Sequence, residues 1–166
     1  IAELGTDGIA YLMEDATVKA GPTIWGKMAC SAYRRHSADV MVGEQNFGGA
    51  MVKFVIQATE KAEGVKINYK IVNASRGKVQ RAEPFAPLFH DGRIRVVGRQ
   101  NDLEEELGGF STHGYTGAKS PNVADAAFWC LAELFPSVAG VTKKKQTKVN
   151  VIPTRNHWGK KGNRSF

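Results

Sequence analysis

Val40-Met41-Val42-Gly43-Glu44-Gln45-Asn46, followed by Gly48-Gly49 and then by Met51, Val52, Val55 and Ile56, is the stretch that decides the fold. The short apolar run before Glu44 predicts a buried strand, and the spacing of the four later residues predicts one face of a helix. Gly48-Gly49 break the chain between the strand and the helix. Val65 to Val72, rich in β-branched residues, reads as another strand.

Toward the amino end, residues 1–4 and 9–13 flank Gly5-Thr6-Asp7-Gly8, a turn that joins two strands into a hairpin. Pro22 suits the opening of a helix, and Trp25, Met28, Ala29 and Ala32 give that helix one buried face, which runs out near His36-Ser37. Toward the carboxyl end, Pro84 sits in the first turn of a helix through Phe89. His90-Asp91-Gly92 turns into a brief strand from Arg93 to Val97, and a short helix from Asp102 to Leu107 follows, with Asn101 as its N-cap. Gly108-Gly109 and His113-Gly114-Tyr115-Thr116-Gly117 predict a flexible loop before the last helix. That helix begins with Ser120 as N-cap and Pro121, and it carries Val123, Ala126, Ala127, Cys130, Leu131 and Leu134 until Phe135-Pro136 stops it. The order describes an α/β domain with a mixed sheet flanked by helices.

Composition limits the function classes. A chain of 166 residues with 42% hydrophobic and 23% charged content is in the range of one globular domain with a core of its own. Cys30 and Cys130 lie in apolar surroundings with no CxxC spacing, which argues against a zinc site or a disulfide framework and for a reducing compartment. No apolar run is long enough to span a bilayer, and the start lacks the zones of a signal peptide, so the expectation is a soluble, intracellular protein with no membrane partner. The net charge of +7 is unevenly placed. Residues 141–166 hold eight Lys or Arg and no acid, leaving fifteen basic against sixteen acidic residues before them. Residues 1–140 therefore read as the domain and 141–166 as a basic C-terminal tail, suited to phosphate neutralisation or to being a solvated extension.

Two carboxylates stand out by position. Glu44 closes an apolar strand, at the sheet edge where α/β folds build sites, and Asp125 lies one turn into the last helix beside an apolar stripe. A carboxylate in such surroundings is costly unless paired or bound to a cation, so both positions invite a divalent metal. A solvated strand end and a favourable helix-dipole position are the plainer explanations.

Five blocks in order carry a resemblance: Val42-Gly43-Glu44-Gln45-Asn46, Ala74-Ser75-Arg76-Gly77-Lys78, Arg81-Ala82-Glu83-Pro84, Gly92 to Gly98 with Leu103-Glu104, and Ser120-Pro121-Asn122-Val123-Ala124-Asp125-Ala126 followed by Trp129. Over residues 1 to about 136 the chain resembles the nuclease domain of phage terminase large subunits, of ribonuclease-H-like fold. The resemblance implies a metal-dependent endonuclease that cuts double-stranded concatemeric DNA during genome packaging. It makes Glu44 and Asp125 catalytic ligands of two Mg²⁺ or Mn²⁺ ions. It also implies double-stranded DNA, an N-terminal packaging ATPase domain, a small terminase subunit and a portal as partners, in the cytoplasm of a bacterial host. Arg76, Lys78, Arg81 and Lys119 are then expected at DNA phosphates, with surface pairing to Glu83 or Glu104 to Glu106 as the alternative for the basic cluster.

The family's first strand, with a further catalytic aspartate, has no counterpart here. The hairpin of residues 1–13 looks like the second and third strands, so that aspartate is expected before Ile1 and the chain reads as a fragment. Asp15 is an auxiliary candidate only. His113 is a possible metal neighbour or DNA contact, and Trp25, Phe128 and Trp129 read as core. No GxxxxGK[ST] phosphate loop is present. Two other readings stay open: a resolvase- or transposase-type ribonuclease-H-like nuclease, and a non-catalytic DNA-binding or assembly module.

Overall fold

The computed structural model describes residues 1–45 and 49–140. The basic tail lies outside the described residues, as do Asn46 and Gly48 of the glycine-rich break. The predicted hairpin forms: β1 (Ala2–Leu4) pairs antiparallel with β2 (Ala10–Leu12). Its turn closes because Gly8 takes φ 77°, open to glycine at little cost, while the Asp7 carboxylate accepts from the Ile9 amide at 3.0 Å and the Tyr11 hydroxyl at 2.8 Å. β2 also pairs in parallel with β5 (Ile94–Val96), so this ladder mixes both senses. β3 (Met41–Glu44) pairs in parallel with β4 (Tyr69–Val72), giving a second ladder. The predicted strand from Val65 shortens to these four residues because Val65 and Ile67 instead donate their amides to the backbone and side chain of Glu60.

Helix α1 (Pro22–Arg35) packs on α2 (Gly49–Glu63). Gly26 makes the close approach possible, since a Cβ there would lie 2.7 Å from the Thr59 hydroxyl and 2.8 Å from Val55. The helix from Pro84 is instead α3 (Lys78–Ala82), a 3₁₀ turn over Glu83–Phe85 and α4 (Ala86–His90). Asn101 belongs to α5 (Asn101–Gly108) rather than capping it, and the Glu104 carboxylate accepts the Gln100 amide instead. The glycine-rich stretch expected as a loop contains a two-residue ladder, β6 (Phe110–Ser111) with β7 (Gly114–Tyr115). Helix α6 (Asn122–Leu134) is the last element among the described residues.

Two apolar cores result. One gathers Ala10, Leu12, Phe85, Ile94, Leu103, Ala124, Phe128 and Leu131 around β1, β2, β5 and α6. The other gathers Cys30, Ile56 and Ile67 between α1, α2 and the β3–β4 ladder. Between them runs an open, mainly apolar groove of about 550 Å³, bordered by Ile1 and Ala2 on one side and by Val40 to Gly43 on the other. A water molecule takes about 30 Å³, so this is no packing defect. Trp25, Met28, Ala29 and Ala32, the predicted buried face of α1, line this groove. Only Ala32 of the four is buried; the buried contacts of α1 with α2 run through Gly26 and Cys30 instead. α6 divides in the same way. Ala124, Asp125, Phe128 and Leu131 are its buried face, while Ala126, Cys130 and Leu134 face the groove. Periodicity marked both faces as apolar, and both meet in a slot flanked by β1 and β3, each of which has a ladder partner on one side only among the described residues.

Polar contacts tie the halves together. Glu14, just past the hairpin, accepts from Arg35 at 2.5 and 2.7 Å and contacts His36 at 2.6 Å, both at the end of α1. Lys70 on β4 pairs with Glu133 on α6. The Arg35 guanidinium, with His36 second, holds the Glu14 carboxyl down at about 2. A group whose folded pKa is depressed stabilises the fold above its unfolded value and loses that contribution as pH falls through the folded one. Glu14→Gln should therefore cost about 1 kcal/mol at pH 7, allowing for solvent screening of a partly exposed pair. In urea unfolding the difference from the parent chain should close as pH approaches about 2. Equal stabilities at pH 7 would contradict it.

Candidate active site

Glu44 is the last residue of β3, so the strand delivers its side chain to the edge of the ladder, beside α6. The indole nitrogen of Trp129 donates to the Glu44 carboxylate at 2.8 Å. Trp129 lies one helical turn beyond Asp125, and residues four apart share a helix face. Glu44 and Asp125 thus line one groove, together with Val42, Lys78, Asn122 and Trp129. The groove crosses the seam between the two cores: Glu44 comes from the β3–β4 half, Asp125 from the other.

Asp125 is buried, with 5% of its surface exposed, and its charge is fully engaged. Arg81, on α3, donates from Nε to Oδ1 at 2.9 Å and from Nη2 to Oδ1 and Oδ2 at 2.7 Å each. Lys78 Nζ stands 3.8 Å from Oδ2. A carboxylate this deep is tolerable only when paired, and a guanidinium fork matches it better than a point charge. Arg81 is itself anchored: its guanidinium stacks over the Trp129 ring at 5.2 Å, and its Nη1 donates to the Arg76 carbonyl. One continuous chain of contacts therefore runs Glu44, Trp129, Arg81, Asp125.

The start of α6 is built differently from the expected Ser120 cap. The Glu106 carboxylate, from α5, accepts the Ala124 amide at 2.8 Å, while Lys78 Nζ donates to Ser120 Oγ at 2.8 Å and Asn122 Oδ1 at 2.5 Å. An acid at a helix N-terminus satisfies amides that the helix leaves without partners.

Of the four basic residues expected at phosphates, Lys78 and Arg81 are thus drawn into the acidic site, pairing with the buried Asp125 and not at the surface with Glu83 or Glu104 to Glu106. Arg76 and Lys119 are exposed, Arg76 reaching the site only through its carbonyl. Asp15 accepts the Thr17 amide and lies outside the groove of Glu44 and Asp125; His113 is exposed, its amide bonded to Ser111. Phe128 is core as expected, stacked on Phe85. Trp129 is more than core. Its position four residues after Asp125 was the available sign that it faces the same groove.

A family described as the terminase RNaseH-like domain matches residues 3–134, a span that contains both carboxylates, the Arg81 clamp and Trp129. The chain belongs to that family. It is a nuclease-type terminase module of ribonuclease-H-like fold. Comparison with curated proteins and with solved structures finds no match.

As a metal centre, the terminase domain's site fits in kind and falls short in number. Carboxylate oxygens are the donors that hard divalent cations prefer, and Glu44 and Asp125 offer them on one groove. Among the described residues, however, no three His, Cys, Asp or Glu gather where they could hold an ion. Two acids on one groove are fewer donors than a pair of such ions needs.

The Glu44–Trp129 contact is open to a double-mutant cycle. Glu44→Ala and Trp129→Phe should show a coupling of about 1.5 kcal/mol in urea unfolding, in keeping with a hydrogen bond to a charged group. Additive effects would show that the seam is not held there.

Proposed function

We propose that this domain is the metal-dependent endonuclease of a DNA-packaging terminase, cutting double-stranded DNA with Glu44 and Asp125 as metal ligands. The observation that carries the reading is the meeting of these two carboxylates, remote in sequence, on one groove in a chain of the terminase RNaseH-like family. A divalent cation held there, Mg²⁺ or Mn²⁺, would supply charge neutralisation at the scissile phosphate and activation of water, and two such ions would serve both the attacking and leaving oxygens.

The protein's own residues do the positioning. β3 fixes Glu44, α6 fixes Asp125, and the Trp129 indole orients the Glu44 carboxylate across the seam. Lys78 braces the start of the helical turn that bears Asp125, through Ser120 and Asn122. Arg76 and Lys119, exposed beside this region, are suited to DNA phosphates, contacts that position a duplex without reading its sequence. The tail's eight basic residues would add salt-dependent affinity.

The slot between β1 and β3 supports a further element of the reading. We take it as the place of one more apolar strand, paired with both edges and covered by the α1 and α6 faces that line the slot. An acid on that strand would stand beside Glu44 and Asp125 and complete the ligand set for a second ion. Packaging ATPase, small terminase subunit and portal are the partners this function calls for, inside a bacterial host.

Nicking of supercoiled plasmid in Mn²⁺, by a polypeptide extended before Ile1, tests the reading. Metal ligation supplies several kcal/mol to such a reaction, so Glu44→Ala and Asp125→Ala should each slow cleavage roughly a hundredfold or more. Metal-independent DNA binding that disappears when residues 141–166 are removed, with no cleavage at any metal concentration, would favour a binding module instead.

A further inference from the structure

We propose that Arg81 is an exchangeable counter-ion of Asp125: it occupies the carboxylate until a divalent cation displaces it, and the released guanidinium then takes a DNA phosphate. The inference rests on the metal-dependent reading above and concerns how the site is held off. Three donated hydrogen bonds cover both oxygens of Asp125, so a cation cannot share Asp125 with Glu44 without loosening the fork. Arg81 and Asp125 side chains are only 12% and 8% exposed, which removes most of the water that would screen the pair. The pair is therefore a real competitor for metal.

The surroundings make the exchange two-ended. On one side Arg81 holds Asp125; on the other it leans on the Trp129 ring and the Arg76 carbonyl, which stay in place when the carboxylate is taken away. A guanidinium released from Asp125 keeps these supports, and its fork suits a phosphate as well as it suited a carboxylate. Trp129 also carries Glu44, so a cation arriving at the two acids perturbs both ends of one chain of contacts. Lys78 alone is a weak substitute at 3.8 Å, already engaged with Ser120 and Asn122. Linkage then requires that metal and DNA strengthen one another's binding, because each draws Arg81 toward the same open arrangement. Without DNA the clamp keeps Asp125 neutralised and metal occupancy low.

Calorimetric titration of the full chain with Mn²⁺, in the absence of DNA, reads the competition directly. Arg81→Gln should bind Mn²⁺ about tenfold more tightly than the parent, the scale of one strong charge-assisted contact, with Arg81→Lys between them. Arg81→Gln should also melt lower in chelator and gain more from added Mn²⁺ than the parent does, since its Asp125 has lost its partner. A second measurement needs no variant: the Arg81 Nε–H signal in a ¹⁵N-resolved spectrum should shift as Mg²⁺ is added to the parent chain. Equal Mn²⁺ affinities in parent and Arg81→Gln, or an Arg81 signal unmoved at saturating Mg²⁺, overturn the exchange and leave the nuclease reading standing. No binding of Mn²⁺ by any of the proteins overturns both.

Discussion

The hydrogen bond from the Trp129 indole to the Glu44 carboxylate is the contact on which the site depends. The molecule has two apolar cores with an open groove between them, and each core owns one of the two acids. Apolar packing fixes Glu44 relative to β4 and α2, and fixes Asp125 relative to β2 and α5. It does not fix one acid relative to the other. That relation is left to a few polar bridges: Trp129 to Glu44, Lys70 to Glu133, and Glu14 to Arg35 and His36. Polar bridges of this sort, partly exposed, hold a geometry less stiffly than an apolar layer would. A strand filling the slot would replace them with a continuous sheet.

The seam also explains how the site handles its charge. An isolated buried Asp125 would be expensive, and the chain answers with Arg81 rather than with exposure to water. Lys78 and Arg81, residue types that suit phosphate, are thereby committed to Asp125.

Much of the fold was legible because the elements have clear local causes. The Asp-Gly turn, the apolar run ending at Glu44, the Pro22 start and the 3.6-residue period of α6 each made a definite expectation that the structure repeats. What failed was assignment of faces. Met28 and Ala126 sit in apolar series, and periodicity cannot distinguish a face packed in a core from one lining an open slot. Caps differ for a related reason: Ser120 is the better N-cap by residue type, yet Glu106, eighteen positions before Ala124, accepts the Ala124 amide. Such tertiary caps leave no local trace. Of the site, the two carboxylates were visible from their position at a strand end and a helix start, and the family blocks from their order. The Arg81 clamp was not, because nothing in the spacing of Arg81 and Asp125, forty-four positions apart, says that they meet.

The account stands most directly on whether one divalent ion is shared by the two acids across the seam. A crystal of the protein grown with Mn²⁺, with data collected at the manganese edge, decides it. The account predicts an anomalous peak within ligand distance, about 2.2 Å, of oxygens from both Glu44 and Asp125, with the Arg81 fork withdrawn from the carboxylate. A peak bound elsewhere, with Arg81 still seated on Asp125 at saturating metal, would contradict it.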